Sequence, residues 1–169
     1  LTWLKCTLSG LVAVVMAVTA TAQQRAWSPI APGTTFESGE SWVSQGRRFR
    51  LYGVRACERW RRFTNAAGAK PDCSEASLAM LVSLIRDLSP VCTEVAREEK
   101  AGVSHVICIA LRDRGQAKGS RIDLGTALIS SGFGFAAKDA AGNPIHREYA
   151  VAEEVARRSK AGLWGYRFP

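Results

Sequence analysis

The chain has 169 residues, of which 47% are hydrophobic, and a formal net charge of +8 at pH 7. It contains no internal repeat or low-complexity tract and no apolar stretch beyond the N-terminal one, which excludes repeat arrays and multi-span membrane proteins. The positive charge favours a polyanionic partner, such as nucleic acid, an anionic polysaccharide or an anionic membrane face, although many basic proteins bind none of these.

The first 22 residues have the pattern of a secretory signal peptide. One early charge, Lys5, precedes an apolar run from Leu8 to Val18, and Ala20-Thr21-Ala22 follows as a small-residue cleavage site. This run is shorter than the about 20 residues that a membrane helix needs, and an uncleaved anchor is the alternative interpretation. We therefore expect a Sec-type signal in residues 1–22, a periplasmic or secreted bacterial protein, and no stable membrane span after cleavage.

Cleavage after this segment leaves 147 residues (169 − 22) and, because the segment carries one lysine, a net charge of +7 (8 − 1). A chain of this length suits one domain that buries about 68–70% of the surface its unfolded chain exposes. Residues 23–33 contain two prolines and little periodicity, so we interpret them as a leader and residues 34–169 as the domain.

The cysteines left after removal of the signal indicate disulfide bonds. An even number of cysteines in an exported chain favours disulfides. A zinc site is disfavoured, because the sequence has no Cys-x-x-Cys pair and only two histidines. The four residues are Cys57, Cys73, Cys92 and Cys108, and they allow three pairings that the sequence leaves open.

The predicted elements alternate between strands and helices. Asp72 and Asp123 are each predicted to cap a helix, because each stands directly before an apolar pattern of helical spacing. Period-two alternation and Val/Ile-rich runs predict the strands. In chain order we expect strands from Thr34 to Val54, a basic loop from Glu58 to Lys70, a helix from Asp72 to Leu88, strands Val91–Val95 and Val103–Leu111 joined by charged residues Arg97 to Lys100, a turn over 112–120, a helix from Asp123 to Gly132, a short strand Phe133–Phe135, and a helix from about His146 to Lys160. This order favours a small α+β domain around an antiparallel barrel.

Three sequence motifs resemble those of the staphylococcal nuclease (thermonuclease) family. Residues 39–54 are similar to the opening of the family sequence, which reads D-G-D-T, then a short turn, then V-R-L-x-G-I-D-A-P-E. The number of residues between the second acid of this motif and its arginine is the same here, where the two are Glu40 and Arg50. Residues 123–132, with the sequence DLGTALISSG, resemble D-L-N…L-V-x-x-G. Residues 149–164 contain YAVAE, AR and KAGLW, similar to Y-A-x-A-E, A-R and K-x-G-L-W. Together the motifs span roughly residues 35–164.

The resemblance implies a fold and a disulfide pattern. The expected fold is α+β, a five-stranded OB-fold antiparallel barrel with three helices. Secreted members often carry one disulfide that flanks the first loop and another on the two strands that follow it, which implies the pairs Cys57–Cys73 and Cys92–Cys108. Each closes a loop of about 15 residues, which contributes about 3 kcal/mol to stability in the chain-entropy model.

The resemblance also implies a chemistry for the matched positions. Family nucleases hydrolyse phosphodiesters with calcium, held by two aspartates and a carbonyl, with a glutamate as base or water-orienting group and two arginines on the phosphate. Three positions are retained in this sequence: Glu58 for the catalytic glutamate, Arg50 for the first arginine, and Glu40, a longer carboxylate, for the first calcium ligand. A surface-strand arginine and a solvated loop acid are the alternative interpretations of Arg50 and Glu58.

Two other matched positions are degenerate. Arg55 stands at the position of the second calcium ligand, so a ligand is lost and a positive charge is placed beside the expected cation. Two like unit charges ~4 Å apart at an effective dielectric of 20 repel by about 4 kcal/mol. The second arginine falls on Val103, and loss of such a group commonly costs on the order of 10³–10⁵ in the rate of phosphoryl transfer. A local shift of the alignment, which would restore Arg97, is the alternative.

These losses predict an exported nuclease-like protein without efficient catalysis, serving as a binding or accessory module. The Leu51–Cys57 segment is similar to small exported nuclease-like proteins of succinoglycan (exopolysaccharide) gene clusters. No cofactor is expected. The rival hypothesis is an active calcium-dependent endonuclease that uses Glu40, Arg50 and Glu58.

A third hypothesis is nucleic-acid binding without cleavage. The basic loop places a tryptophan among arginines, a combination that suits stacking and cation–π contact with a polyanion, although a tryptophan that covers the barrel mouth is an equal alternative. The residues are Arg59, Trp60, Arg61 and Arg62. The partner is thus a polyanion, either nucleic acid or anionic polysaccharide, or another protein. We assign no role to His105 and His146.

Overall fold

Residues 26–111 and 121–166, which the computed structural model describes, form a mixed α+β fold with three α-helices and a curled half-barrel sheet. The predicted signal peptide and the predicted turn over 112–120 lie outside the described residues. The strands are β1 (Ser28–Pro29), β2 (Thr35–Ser38), β3 (Ser41–Ser44), β4 (Arg47–Leu51), β5 (Val54–Arg55), β6 (Val91–Glu98), β7 (Val103–Leu111), β8 (Arg121–Asp123) and β9 (Phe135–Ala136).

The main sheet has the strand order β1-β6-β7-β4-β3-β2, and β8 adds to β7. β2, β3 and β4 form an antiparallel meander, and β6 and β7 form an antiparallel pair. The two groups meet in a parallel pairing of β4 with β7, which makes Arg50 and His105 neighbours across the strands. β5 and β9 form a separate small sheet, in which Arg55 pairs with Phe135.

Capping aspartates begin two of the helices, as the sequence predicts. The carboxylate of Asp72 accepts a hydrogen bond from the N–H of Ser74 at 2.8 Å, and that of Asp123 accepts one from the N–H of Thr126 at 2.7 Å. Each cap satisfies a backbone donor that has no partner within its helix. The helices are α1 (Cys73–Leu88), α2 (Leu124–Ser130), α3 (Arg147–Arg158) and a 3₁₀ helix (Gly162–Gly165).

The core lies where the helices meet the sheet. Complete burial of a leucine or isoleucine side chain contributes about 1.5–3 kcal/mol relative to an exposed one. Tyr149 of α3 is also buried, and burial followed by the charge of Asp123 raises the pKa of its phenol. A Cβ added to Gly125 would come within 2.4 Å of the Tyr149 hydroxyl, which explains a glycine inside α2. The fully buried aliphatic side chains are Leu81, Leu124, Leu128, Ile129 and Leu163.

Two disulfide bonds connect the cysteines in the pairs that the resemblance implies. Cys57 and Cys73 have Cα atoms 5.7 Å apart, and the bond joins the end of the β5 segment to the first residue of α1. Cys92 and Cys108 are register partners on β6 and β7, with Cα atoms 4.0 Å apart. The first bond closes the basic loop, and the second links two strands of the main sheet.

The α+β class is confirmed, whereas several element boundaries differ from the prediction. The described residues contain nine strands rather than five, because short strands such as β5 and β9 stand apart from the long ones. β6 continues through Arg97 to Glu98, two residues of the charged stretch that the sequence predicts to join the strands. The predicted leader contributes β1, which pairs with β6 at Ser28 and Pro29.

Within the described residues, no helix combines the length and the apolar character needed to cross a bilayer.

Candidate functional site

Three of the matched residues line one cavity, which we call the Glu40 cavity. It has a volume of about 400 Å³ and is lined by Glu40, Arg50 and Arg55, together with Arg97 and His105. Of these five residues, Glu40 lies on the turn between β2 and β3, and the other four lie on β4, β5, β6 and β7 in that order. Residues from five parts of the chain therefore converge here, which makes the cavity the first candidate for a functional site.

The carboxylate of Glu40 is engaged within the protein. One oxygen lies 3.3 Å from Nε of Arg50, and the other accepts a hydrogen bond from the backbone N–H of Ala56. The Glu40 side chain is 15% exposed, whereas that of Arg50 is 45% exposed. Glu40 thus joins the β2–β3 turn to β4 and to the segment after β5, and this arrangement uses both of its oxygens.

The carboxylate of Glu58 is paired with a cation. Nη2 of Arg55 donates to Oε1 of Glu58 at 3.0 Å, and the two side chains are 59% and 69% exposed. An exposed pair of this kind contributes little to stability. It places a guanidinium on the carboxylate that the motif match aligns with the family's catalytic glutamate.

The residues present do not fit a calcium ion. Calcium takes six to eight oxygen ligands, usually with several carboxylates. In residues 26–111 and 121–166, no group of three or more histidine, cysteine, aspartate or glutamate side chains is arranged to hold a metal. Glu40 is bound to Arg50 and to Ala56, and the position matched to the second ligand carries the cation of Arg55.

The position matched to the second phosphate-binding arginine is part of the core. Val103, the first residue of β7, is buried with 5% of its surface exposed. The alternative cation, Arg97, lines the Glu40 cavity but donates two hydrogen bonds to Glu94, at 2.9 and 2.8 Å. These bonds raise the pKa of Arg97 and, together with the charge of Arg47, lower that of Glu94 to about 2. Arg97 is therefore held by a carboxylate at the edge of the cavity.

His105 is a cavity residue to which the sequence analysis assigned no role. Its side chain is 23% exposed, and its ring packs edge-on against Tyr52 with centroids 6.4 Å apart. The parallel register of β4 and β7 sets it beside Arg50. No local sequence signal identifies this position, because the pairing joins strands about 50 residues apart along the chain. His146, in contrast, stacks on Tyr149 at 4.2 Å.

The predicted polyanion-binding residues lie on the segment 58–72, which we call the Trp60 loop. The Trp60 side chain is 85% exposed, so it does not cover the mouth of the sheet. Its backbone has φ of 71°, a conformation rare for a bulky residue, and its N–H donates to Asp72 at 2.8 Å. The Cys57–Cys73 disulfide and buried Phe63 anchor the loop. The tryptophan is therefore presented to solvent from a fixed backbone.

Arginines flank this tryptophan on the loop. Arg59 donates to the carbonyl oxygen of Glu37 at 3.2 Å, and Arg62 donates to that of Lys70 at 3.1 Å. Arg61 is exposed and contacts its surroundings as well. A guanidinium that is bonded to a carbonyl is held in place but keeps its full positive charge, so this surface suits an anionic ligand.

The chain matches no family model, and no curated protein is significantly similar to it in sequence.

Proposed function

We propose that this chain is an exported nuclease-like barrel whose catalytic site is degenerate and which works as a polyanion-binding or accessory module. The proposal combines the sequence motifs of residues 39–54, 123–132 and 149–164 with the charge arrangement around Arg55. The nuclease-like fold, the export and the absence of efficient hydrolysis are all parts of the proposal.

The topology of the long strands supports the barrel. In chain order, β2, β3 and β4 form a meander, α1 follows, and β6 and β7 return to pair with β4 through β7. The five strands of four or more residues, β2, β3, β4, β6 and β7, match the strand number of a partly open, five-stranded oligonucleotide-binding barrel. On this interpretation, β1, β5, β8 and β9 are additions to the barrel.

The main observation in favour of a degenerate catalytic site is the ion pair between Arg55 and Glu58, in which Nη2 lies 3.0 Å from Oε1. Metal-assisted hydrolysis needs carboxylates that are free to hold the metal and to orient water. Here one matched position is a cation, the matched base is bound to that cation, and Glu40 is bound to Arg50. The matched residues neutralise each other instead of leaving negative charge available for a divalent ion.

The Trp60 loop is the proposed binding surface. Its arginines supply positive charge, and its exposed indole supplies a flat face on which a base or a sugar ring can stack. The shared chemistry of the ligand is a chain of rings that carry negative charges. Single-stranded nucleic acid and an anionic polysaccharide both have this chemistry, and the binding experiment below compares them.

The hydrolysis test uses the purified processed protein with single-stranded DNA and RNA, in calcium and in a chelator. We expect no calcium-stimulated cleavage, because the matched ligands are engaged, and we expect Glu58→Gln to change nothing. Calcium-dependent cleavage that Glu58→Gln abolishes would contradict the proposal and would identify an active endonuclease.

The binding test measures the affinity for labelled single-stranded DNA and for alginate over a range of salt concentrations. Replacing Arg59, Arg61 and Arg62 together by glutamine should lower the salt slope by about 2, because each phosphate contact on a single strand contributes about 0.7. The matched control replaces three exposed cations elsewhere, Lys100, Arg121 and Arg147. Equal weakening by both triple variants would show that only net charge matters and would remove the loop from the proposal.

A further inference from the structure

A second cavity, which we call the Trp164 cavity, has a volume of about 440 Å³. It is bounded by β5, β9, the start of the Trp60 loop and the 3₁₀ helix that contains Trp164. Its volume is within the range of about 300–1,000 Å³ that is typical of small-molecule sites. It is large enough for one sugar or one nucleoside, and it shares Arg55 with the Glu40 cavity, whose other walls include residues of β4, β6 and β7.

The charge of this cavity is strongly positive. Arg55, Arg61 and Lys138 line it together with a single carboxylate, that of Glu58, so the formal charge is +2 (3 − 1). Lys138 makes no salt bridge with any described residue. An excess of cations in a concave site favours an anionic ligand, because the low-dielectric walls focus the field.

The walls also contain an aromatic pair. Phe135 and Trp164 pack edge to face, with ring centroids 5.4 Å apart. The indole Nε1 of Trp164 is buried and has no hydrogen-bond acceptor among the described residues. Aromatic rings beside cations are suited to a ligand that has a ring of its own as well as a negative charge.

The backbone around the cavity is fixed before any ligand binds. The N–H of Ala136 in β9 donates to the Glu153 carboxylate at 2.7 Å, which ties β9 to α3. The N–H of Leu163 donates to the carbonyl of Gly132 at 3.1 Å, which ties the 3₁₀ helix to the end of α2. The Cys57–Cys73 disulfide holds a third side. A preformed wall reduces the ordering cost of binding.

From these features we infer that the Trp164 cavity binds a small ring-bearing anion, meaning one sugar or base ring that carries a carboxylate or a phosphate. The cations hold the anionic group, and the aromatic pair contacts the ring. This site goes beyond the polyanion-binding surface, because it is sized for a single unit and uses Lys138, Phe135 and Trp164, which lie outside the Trp60 loop.

Isothermal titration calorimetry with four probes tests this inference. The probes are glucuronate, glucose 6-phosphate, uridine monophosphate and inorganic phosphate. We expect at least one ring-bearing probe to bind with a stoichiometry of one. Its Kd should be about tenfold lower than that of inorganic phosphate. The three ring-bearing probes separate a sugar carboxylate, a sugar phosphate and a nucleotide as the source of the anion.

Lys138→Gln should raise the Kd of the ring-bearing probe that binds by about tenfold. The control is Lys100→Gln, which removes an exposed cation in the β6–β7 turn and should leave that Kd unchanged. Lys138 is exposed, so we expect its variant to fold, which circular dichroism checks. The inference is overturned if none of the ring-bearing probes binds at 10 mM, if inorganic phosphate binds as tightly, or if Lys100→Gln weakens binding as much. The triple loop variant removes Arg61, which both proposals use, so Lys138→Gln separates them: it should weaken the binding of the ring-bearing probe and leave DNA and alginate binding unchanged.

Discussion

The Glu40 cavity and the Trp60 loop use their charges in opposite ways. In the cavity, arginines pair with carboxylates: Arg50 with Glu40, and Arg97 with Glu94. In the loop, Arg59 and Arg62 donate to backbone carbonyls, and Arg62 is also close enough to Asp72 to contribute to the lowered pKa of that carboxyl. The carboxylate of Glu40 is thus paired within the protein, and under the proposed function the Trp60 loop, not the Glu40 cavity, contacts the polyanion.

Opening the Cys57–Cys73 disulfide should have the largest effect, because it should both destabilise the fold and release the Trp60 loop. The double variant Cys57→Ser/Cys73→Ser removes a closure across 16 residues, and we expect the free energy of unfolding to fall by about 3 kcal/mol. The loop carries trypsin sites at Arg59, Arg61 and Arg62, so it should also become sensitive to trypsin. Urea denaturation and limited proteolysis measure the two effects.

The matched control is Cys92→Ser/Cys108→Ser, which has the same sequence separation of 16 residues but joins β6 to β7. It should lose similar stability while the Trp60 loop stays resistant to trypsin. If both double variants are cleaved equally within the loop, the disulfide does not hold that surface in place, and the contrast between the two regions loses its structural basis.

Gly39→Ala should disturb the Glu40 cavity and leave the Trp60 loop unchanged. A Cβ at Gly39 would lie 2.6 Å from Cβ of Ser77 and 2.9 Å from its backbone carbon, so the turn that carries Glu40 must move away from α1. Overpacking of this kind costs about 1–3 kcal/mol. NMR of the chain's two histidines should show a shifted His105 signal, because His105 lines the same cavity as Glu40. Unchanged trypsin resistance of the loop is the control, and an unchanged His105 signal would contradict the prediction.

Local features of the fold were predictable from the sequence. Asp72 and Asp123 were identified as helix caps because a cap depends on a carboxylate and the N–H groups two or three residues after it. The strand pattern of β7 was equally clear, since alternation and β-branched residues are properties of one segment. The pairing of the cysteines came from the family resemblance, because spacing left three possibilities open.

Features that depend on distant contacts were not predictable. The position of His105 requires the parallel pairing of β4 with β7, and the extension of β6 to Glu98 requires its pairing with Val103. The motif match identified Arg55 as a change of charge, but only the structure shows its contact with Glu58. Lys138 has no individual sequence signal and Trp164 stands out only as the last residue of the KAGLW motif, since the cavity they share joins β9 to the 3₁₀ helix.

The smallest expected effect concerns the Glu94–Arg97 pair and depends on pH. The hydrogen bonds from Arg97 lower the pKa of Glu94 from 4.5 to about 2, so the pair stabilises the fold above the unfolded value and this contribution is lost as the pH falls towards 2. Glu94→Gln should therefore be less stable than the parent at pH 7 by less than about 1 kcal/mol, since Glu94 is partly exposed, and the difference should narrow below pH 4. Glu58→Gln, which breaks the more exposed pair with Arg55, should change the stability at pH 7 by less than about 0.5 kcal/mol. Urea denaturation at pH 7 and pH 3 measures both variants. A deficit for Glu94→Gln that is as large at pH 3 as at pH 7 would mean that the charge of Glu94 does not stabilise the fold through its pair with Arg97, which lies at the edge of the Glu40 cavity.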